Sequence, residues 1–331
     1  QPVVQIQDAQ GNVVTTDSTT QITATIASGS GGTLGGTNVV TASSGVVTFT
    51  DLTLTGLTSQ TYTLSFDDAG ALTAATSGNL TLTGSGSASK VVLVTEPVFG
   101  PNGEPLGTQP VLQVQDAQGN VVTSDNSTDI TVSIGSGTGG TLGGTQTVTA
   151  VNGVVTFTDL TFSGSTDQTY TLDFSGTGLT AATSTGAAAT AGTATQLVLS
   201  TAPVAGANGA ALGTQPVVQI QDAQGNVVTT DSSTQVVLSI SSGANGSLGG
   251  TQTVTASSGV ATFSGVTLSG DVAETYTLSF VDTGAAFTAV TSDVQLTGAG
   301  SAGQLVIATQ PVAAANGAAL GTQPVVQIQD A

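Results

Sequence analysis

The chain has 331 residues, 20 acidic against one basic, and a formal charge of -19, with no His, Cys, Met or Trp. Phosphate contacts need Lys and Arg, so nucleic acid and anionic membrane surfaces are poor partners, and no apolar run approaches the ~20 residues of a membrane span. With no His or Cys, a serine triad would lack its usual base and disulfide stapling is closed off.

The stretch Gln1–Asp17, QPVVQIQDAQGNVVTTD, returns at Gln109 with small changes and unaltered at Gln215. Its first nine residues return again at Gln323. A period of 106 to 108 residues is one small domain, not a solenoid rung of roughly 20 to 50 residues. Each repeat begins best at the apolar run before a Pro, seen at Lys90–Thr95, Gln196–Thr201 and Gln304–Thr309. The predicted domains are therefore 1–86, lacking its first strand, then 87–194, 195–302, and 303–331, the first strands of a further repeat. Gly/Ser/Ala-rich stretches mark the boundaries.

Hydrophobic residues alternate with period 2, as in Ile130, Val132, Ile134 and in Tyr170, Leu172, Phe174. One face of each such strand is buried and the other wet, and Val, Thr, Ile and Phe suit a pleated surface. In the second repeat the pattern predicts strands near 90–95, 109–116, 119–124, 129–134, 146–150, 153–163, 168–174 and 179–184. Turn signals fall at Ala117–Asn120, Thr141–Gly144 and Val151–Gly153. The fold class read from this is all-β: tandem antiparallel sandwiches of about 100 residues, arranged as an elongated rod. Tyr62, Tyr170 and Tyr276 share one repeat position and are expected as buried rings with backbone-bonded hydroxyls. Phe49, Phe157 and Phe263 share another and read as core.

The ordered series QLVLSTAPV, GTQPVVQIQDAQGNVVT, GGTLGGTQTVTAVNGVVTFTDL and TYTL resembles the bacterial immunoglobulin-like repeats of large surface adhesins, the intimin and invasin group. The resemblance covers essentially the whole chain. It implies Ig-like sandwiches and a stalk or adhesive role on a bacterial surface, and it carries no catalytic residues.

Several patterns suggest chemistry and each has a plainer reading. Asp282-Thr283-Gly284 looks like an aspartic-protease loop, but those enzymes need two such carboxylates and the other repeats do not keep the triplet. Gly135–Gly140 looks like a phosphate cradle without the helix or Lys that chemistry needs. Paired carboxylates could hydrolyse sugars, but Asp and Glu are scattered singly. Lys90 suggests an isopeptide crosslink, yet its counterparts are Gln196 and Gln304. Asn79, Asn126 and Asn245 open sequons of the number chance supplies in so Ser- and Thr-rich a chain.

Calcium is the one cofactor with candidate ligands: Asp8, Asp116 and Asp222, each followed nine residues later by Asp17, Asp125 and Asp231. Two loops of carboxylates with backbone carbonyls form a hard oxygen set, whereas the plainer role of a short Asp is to cap a turn. No cofactor is otherwise expected. The functional expectation is a non-enzymatic, extracellular stalk or filament, with self as partner through strand complementation or lateral contacts. The alternative is an adhesin carrying these repeats as spacers, with a host or glycan ligand. The incomplete first repeat and the orphan strands at the end read as a slice of a longer array or as donor-strand assembly. Overlap of Gln323–Ala331 with Gln1–Ala9 tempers the second of these readings.

Overall fold

The computed structural model describes residues 1–330, so Ala331, at the end of the fourth predicted repeat, lies outside them. Only strands and turns occur among the described residues, and no helix is long and apolar enough to cross a membrane. The chain is a tandem of all-β, Ig-like modules with three separate apolar cores.

The second module shows the plan. One sheet orders Lys90–Thr95, Val111–Gln115 and Val154–Thr156, all antiparallel. The facing sheet orders Thr147–Thr149, Asp129–Ser136, Thr169–Ser175 and Ala182–Thr183, with Ala187–Ala188 also on Thr169–Ser175. Thr141–Gly143 and Thr161–Ser163 pair as a separate two-stranded ribbon. Ile130, Val132, Leu172 and Phe174 point inward at alternate positions, as the period of 2 requires, and meet Leu112, Val114, Val155 and Phe157 from the other sheet. The third module repeats this arrangement, except that its last strand runs unbroken over Val290–Gln295. In the first module Val3–Gln5 pairs only with Val46–Thr48. Residues Ala302–Thr309 and Val325–Asp330 form a hairpin after the third module.

Three expectations need correction. The run 153–163 is two strands, not one, and its halves join different sheets. The break falls at Asp159, whose carboxylate accepts the Thr145 N–H and hydroxyl, and at Leu160, clamped by the Gln109 amide in both directions. Gln1 and Gln215 make the same two-way clamp to Leu52 and Val266, which gives the recurring Gln-Pro its role. Next, 119–124 is a turn with a single bridge, Gln115 to Val121, rather than a strand. Finally, Thr141–Gly143 is a strand rather than a reversal.

The recurring tyrosines are fully buried. Tyr170 Oη accepts the Ser165 N–H and donates to Thr138 O, and Tyr276 Oη accepts the Asp271 N–H at 2.6 Å. Tyr62 does likewise at Leu57. The glycine cluster has its explanation here: a Cβ on Gly137, Gly140 or Gly164 would run into the Tyr170 ring or hydroxyl. Gly137 also takes φ +92°, which side chains rarely adopt. Those glycines make room for a ring, not for a phosphate.

Candidate functional site: the joints between modules

Among the described residues no group of three or more acidic side chains converges as a metal site would need, and a set of polar contacts links each module to the next. The turn Asp-Ala-Gln-Gly-Asn builds itself first. Asp222 Oδ1 accepts the Gln224 and Asn226 N–H groups at 3.0 and 2.9 Å, and Asn226 Nδ2 donates to Oδ2 at 3.0 Å. Gly225, at φ +85°, lets the chain reverse. Asp116 closes the same turn on Gln118 and Asn120, and Asp8 on Gln10 and Asn12.

The second carboxylate oxygen then reaches across the boundary. Asp222 Oδ2 accepts the Gly192 N–H at 2.9 Å and Asn102 Nδ2 at 3.2 Å, both from the preceding module or its linker. Asn102 in turn brackets Gly164, donating to its O and accepting from its N–H at 2.8 Å each. Asn226 donates to the same Gly164 O and accepts the Thr166 N–H. At the earlier joint, Asp116 Oδ2 accepts the Gly86 N–H at 2.7 Å, and Asn120 spans Gly56 O and Thr58 N–H. At the last, Asp330 Oδ2 accepts the Gly300 N–H and Asn208 Nδ2.

Asp222 is 1% exposed, and so is Asp116. Burial by itself would push each carboxyl up. The amides and asparagine side chains donating to them outweigh it and hold both below the ordinary carboxylate value. Neutral donors thus stabilise the negative charge of both carboxylates.

The six acidic candidates are not gathered into clusters. Among the described residues no group of three or more acidic side chains converges. Asp17, Asp125 and Asp231 each cap their own turn: Asp231 accepts from the Ser233 and Thr234 N–H groups, and Asp125 from Ser127 and Thr128. Asp125 Oδ2 is buried without a partner, where the equivalent oxygens of Asp17 and Asp231 take a Thr hydroxyl. Asp282 of the protease-like triplet caps a tight turn on the Ala286 and Phe287 N–H groups, 3.0 Å each.

Reading by residue type missed the joint asparagines Asn102, Asn120, Asn208 and Asn226. Their signal was present, since Asn120 and Asn226 stand four residues after a recurring Asp, and Asn102 and Asn208 precede Gly at one repeat position.

No protein-family model matches the chain, and no curated protein does. Among solved structures it is similar to invasin, a bacterial integrin-binding protein, at 15% identity over 94% of this chain and 59% of that one, TM-score 0.30. It is also similar to the Yersinia pseudotuberculosis adhesin InvE, at 17% identity over 62% and 58%, TM-score 0.26. Three immunoglobulin domains of titin match at 12% identity over 84% and 88%, TM-score 0.26. The chain spans less than two thirds of the two adhesins. Superposition this loose carries no weight on function, and the Ig-like fold stands on the strand pairing itself.

Proposed function

We propose that the chain is a non-enzymatic, extracellular structural segment, a stalk or filament whose task is to hold distance and direction. The observation that supports this most is the repeated joint. Each boundary is bridged by hydrogen bonds from a self-built turn to glycine amides and carbonyls next door, so the angle between modules is restrained rather than left to a floppy linker. Buried cores within each module carry the folding stability, and the joints carry the rod. Small-angle X-ray scattering of the monomeric chain tests it: an extended rod is expected, and a compact or freely jointed profile would reject it.

A second reading, an adhesin in which one module binds a host or glycan ligand, has one observation in its favour. The third module departs from the other two between Asp282 and Val290 and in its unbroken last strand. Binding of glycans or host proteins that vanishes when residues 283–289 are replaced by the second module's loop would favour it.

A further inference from the structure

The second and third modules hold their first strands differently. In the second, Lys90–Thr95 is bonded on both flanks. One flank pairs with Val111–Gln115. On the other, the Val91 N–H donates to Thr180 O and the Thr180 N–H to Ser89 O, 2.9 Å each, and the two segments run parallel. A second parallel contact follows at Pro101 and Thr190, where the Asn102 N–H donates to Thr190 O at 3.0 Å. Tension along the chain draws the first strand and the last segment towards opposite ends. Parallel neighbours then slide past each other, so their bonds are loaded together and not opened one at a time.

The third module keeps the later contact: the Thr297 N–H donates to Gly206 O and the Asn208 N–H to Gly298 O, 2.9 Å each. Leu197 and Thr288 stand at the repeat positions of Val91 and Thr180, and among the described residues no bond joins their segments. Two extra residues account for this. Ten positions separate Phe174 from Ser184, and twelve separate Phe280 from Ser292. The added length carries the strand on to Asp282, and the Thr283 N–H reaches Gln235 O at 3.0 Å. Asp282 then turns the chain by accepting the Ala286 and Phe287 N–H groups. Phe287 packs on the third core as Leu179 does on the second, so the core is filled while the bond to the first strand is lost.

We propose that the third module yields to tension in two stages, its first strand Gln196–Thr201 peeling away before the rest opens, whereas the second module holds its first strand until it opens as a whole. In the third module the antiparallel pairs from Gln196↔Gln221 to Thr201↔Val217 meet the load in turn, starting at Gln196. Peeling stops at Gly206, which Thr297 pins. The released segment is about eleven residues and adds at most roughly 40 Å of reach. Forced opening follows the unfolding barrier and not the equilibrium stability, so two modules with equivalent cores can differ under load. The joint bonds Gly86 to Asp116 and Gly192 to Asp222 stand at the entry to both modules and do not create the difference. This deepens the stalk reading and rests on it, since a stalk is what meets tension.

Optical-tweezers pulling of the full chain tests it. Ser87, Thr193 and Ser301 each follow a joint glycine and are exposed, and the chain has no Cys of its own. The pair Ser87→Cys and Thr193→Cys therefore loads the second module alone, and Thr193→Cys with Ser301→Cys loads the third. The third is expected to give a short, reversible step ahead of its main opening, and the second a single opening at higher force. Replacing residues 281–289 by the second module's 175–181 is expected to abolish the short step. Thr180→Pro, which deletes the N–H donated to Ser89 O, is expected to introduce such a step in the second module and keeps the test decisive should the loop replacement not fold. Equal opening forces with no short step in the third module overturn the proposal, as does a step that persists in the folded loop replacement or fails to arise in Thr180→Pro. Scattering of the unloaded chain reads the rod separately, so either idea fails without the other.

Discussion

The same five residues, Asp-Ala-Gln-Gly-Asn, stand in two settings. At Asp8–Asn12 the turn is exposed and, among the described residues, its side chains bond only within the turn, yet Asp8 closes it with the same bonds to the Gln10 and Asn12 N–H groups. At Asp222–Asn226 the turn is identical within itself, but the free carboxylate oxygen and the asparagine amide are spent on the module before. The difference separates two functions of one motif. Turn closure belongs to the fold of a module, and the outward bonds belong to the joint. Module stability and the restraint at each joint are therefore distinct properties that different substitutions should reach.

The largest expected effect breaks a module and leaves its joints aside. Phe157→Ala empties the centre of the second core, where the ring packs on Phe174 with centroids 5.8 Å apart, and is expected to cost about 3–5 kcal/mol. Stepwise denaturant unfolding should show one transition moving and the third module's staying in place. Tyr170→Phe is next. It keeps the ring but strips the Ser165 N–H of its acceptor, a loss of about 1–3 kcal/mol read in the same transition.

Joint substitutions should behave otherwise. Asn102→Ala removes the bracket on Gly164 and one donor to Asp222 without touching any core. It should broaden the distance distribution between labels on the second and third modules. Asp8→Ala loses only turn bonds, so it serves as the control that sets the cost of the turn alone.

Acid should reach the joints as well. Asp116 and Asp222 have carboxyl values held below the ordinary one, so the stability they contribute is complete above about pH 4 and drains as the pH falls through their lowered values. Joint broadening is expected in that acid range, read by the same labels, and none between about pH 5 and 8. The smallest expected effect is that of a chelator. Neutral donors already satisfy the joint carboxylates, so calcium removal should leave both unfolding and inter-module distances unchanged. A clear fall in unfolding temperature would bring the calcium reading of Asp116 and Asp125 forward again.

Much of the fold was legible because alternation is a local signal: Ile130, Val132 and Ile134 announce their strand whatever lies across from them. What was not legible depended on distant partners. Nothing between Val154 and Ser163 marks a change of sheet, because the break is set by Gln109, 51 residues away, clamping Leu160. The recurring Asp residues were visible as a pattern, and their partners were not. Gly192 and Gly86 present bare N–H groups that no side chain advertises, and each lies 30 residues from the Asp it serves. Glycines around Tyr170 were equally mute, since what they mark is the ring they avoid.

The central claim, that self-contained modules are held in line by the Asp turn, is tested most directly at one joint. Pulsed electron spin resonance between labels on the second and third modules would compare the wild-type chain with D222A. The account predicts a narrow distance distribution that widens in the variant while the buried cores and their unfolding transitions persist. An unchanged distribution, or loss of the third module's fold along with the joint, would contradict it.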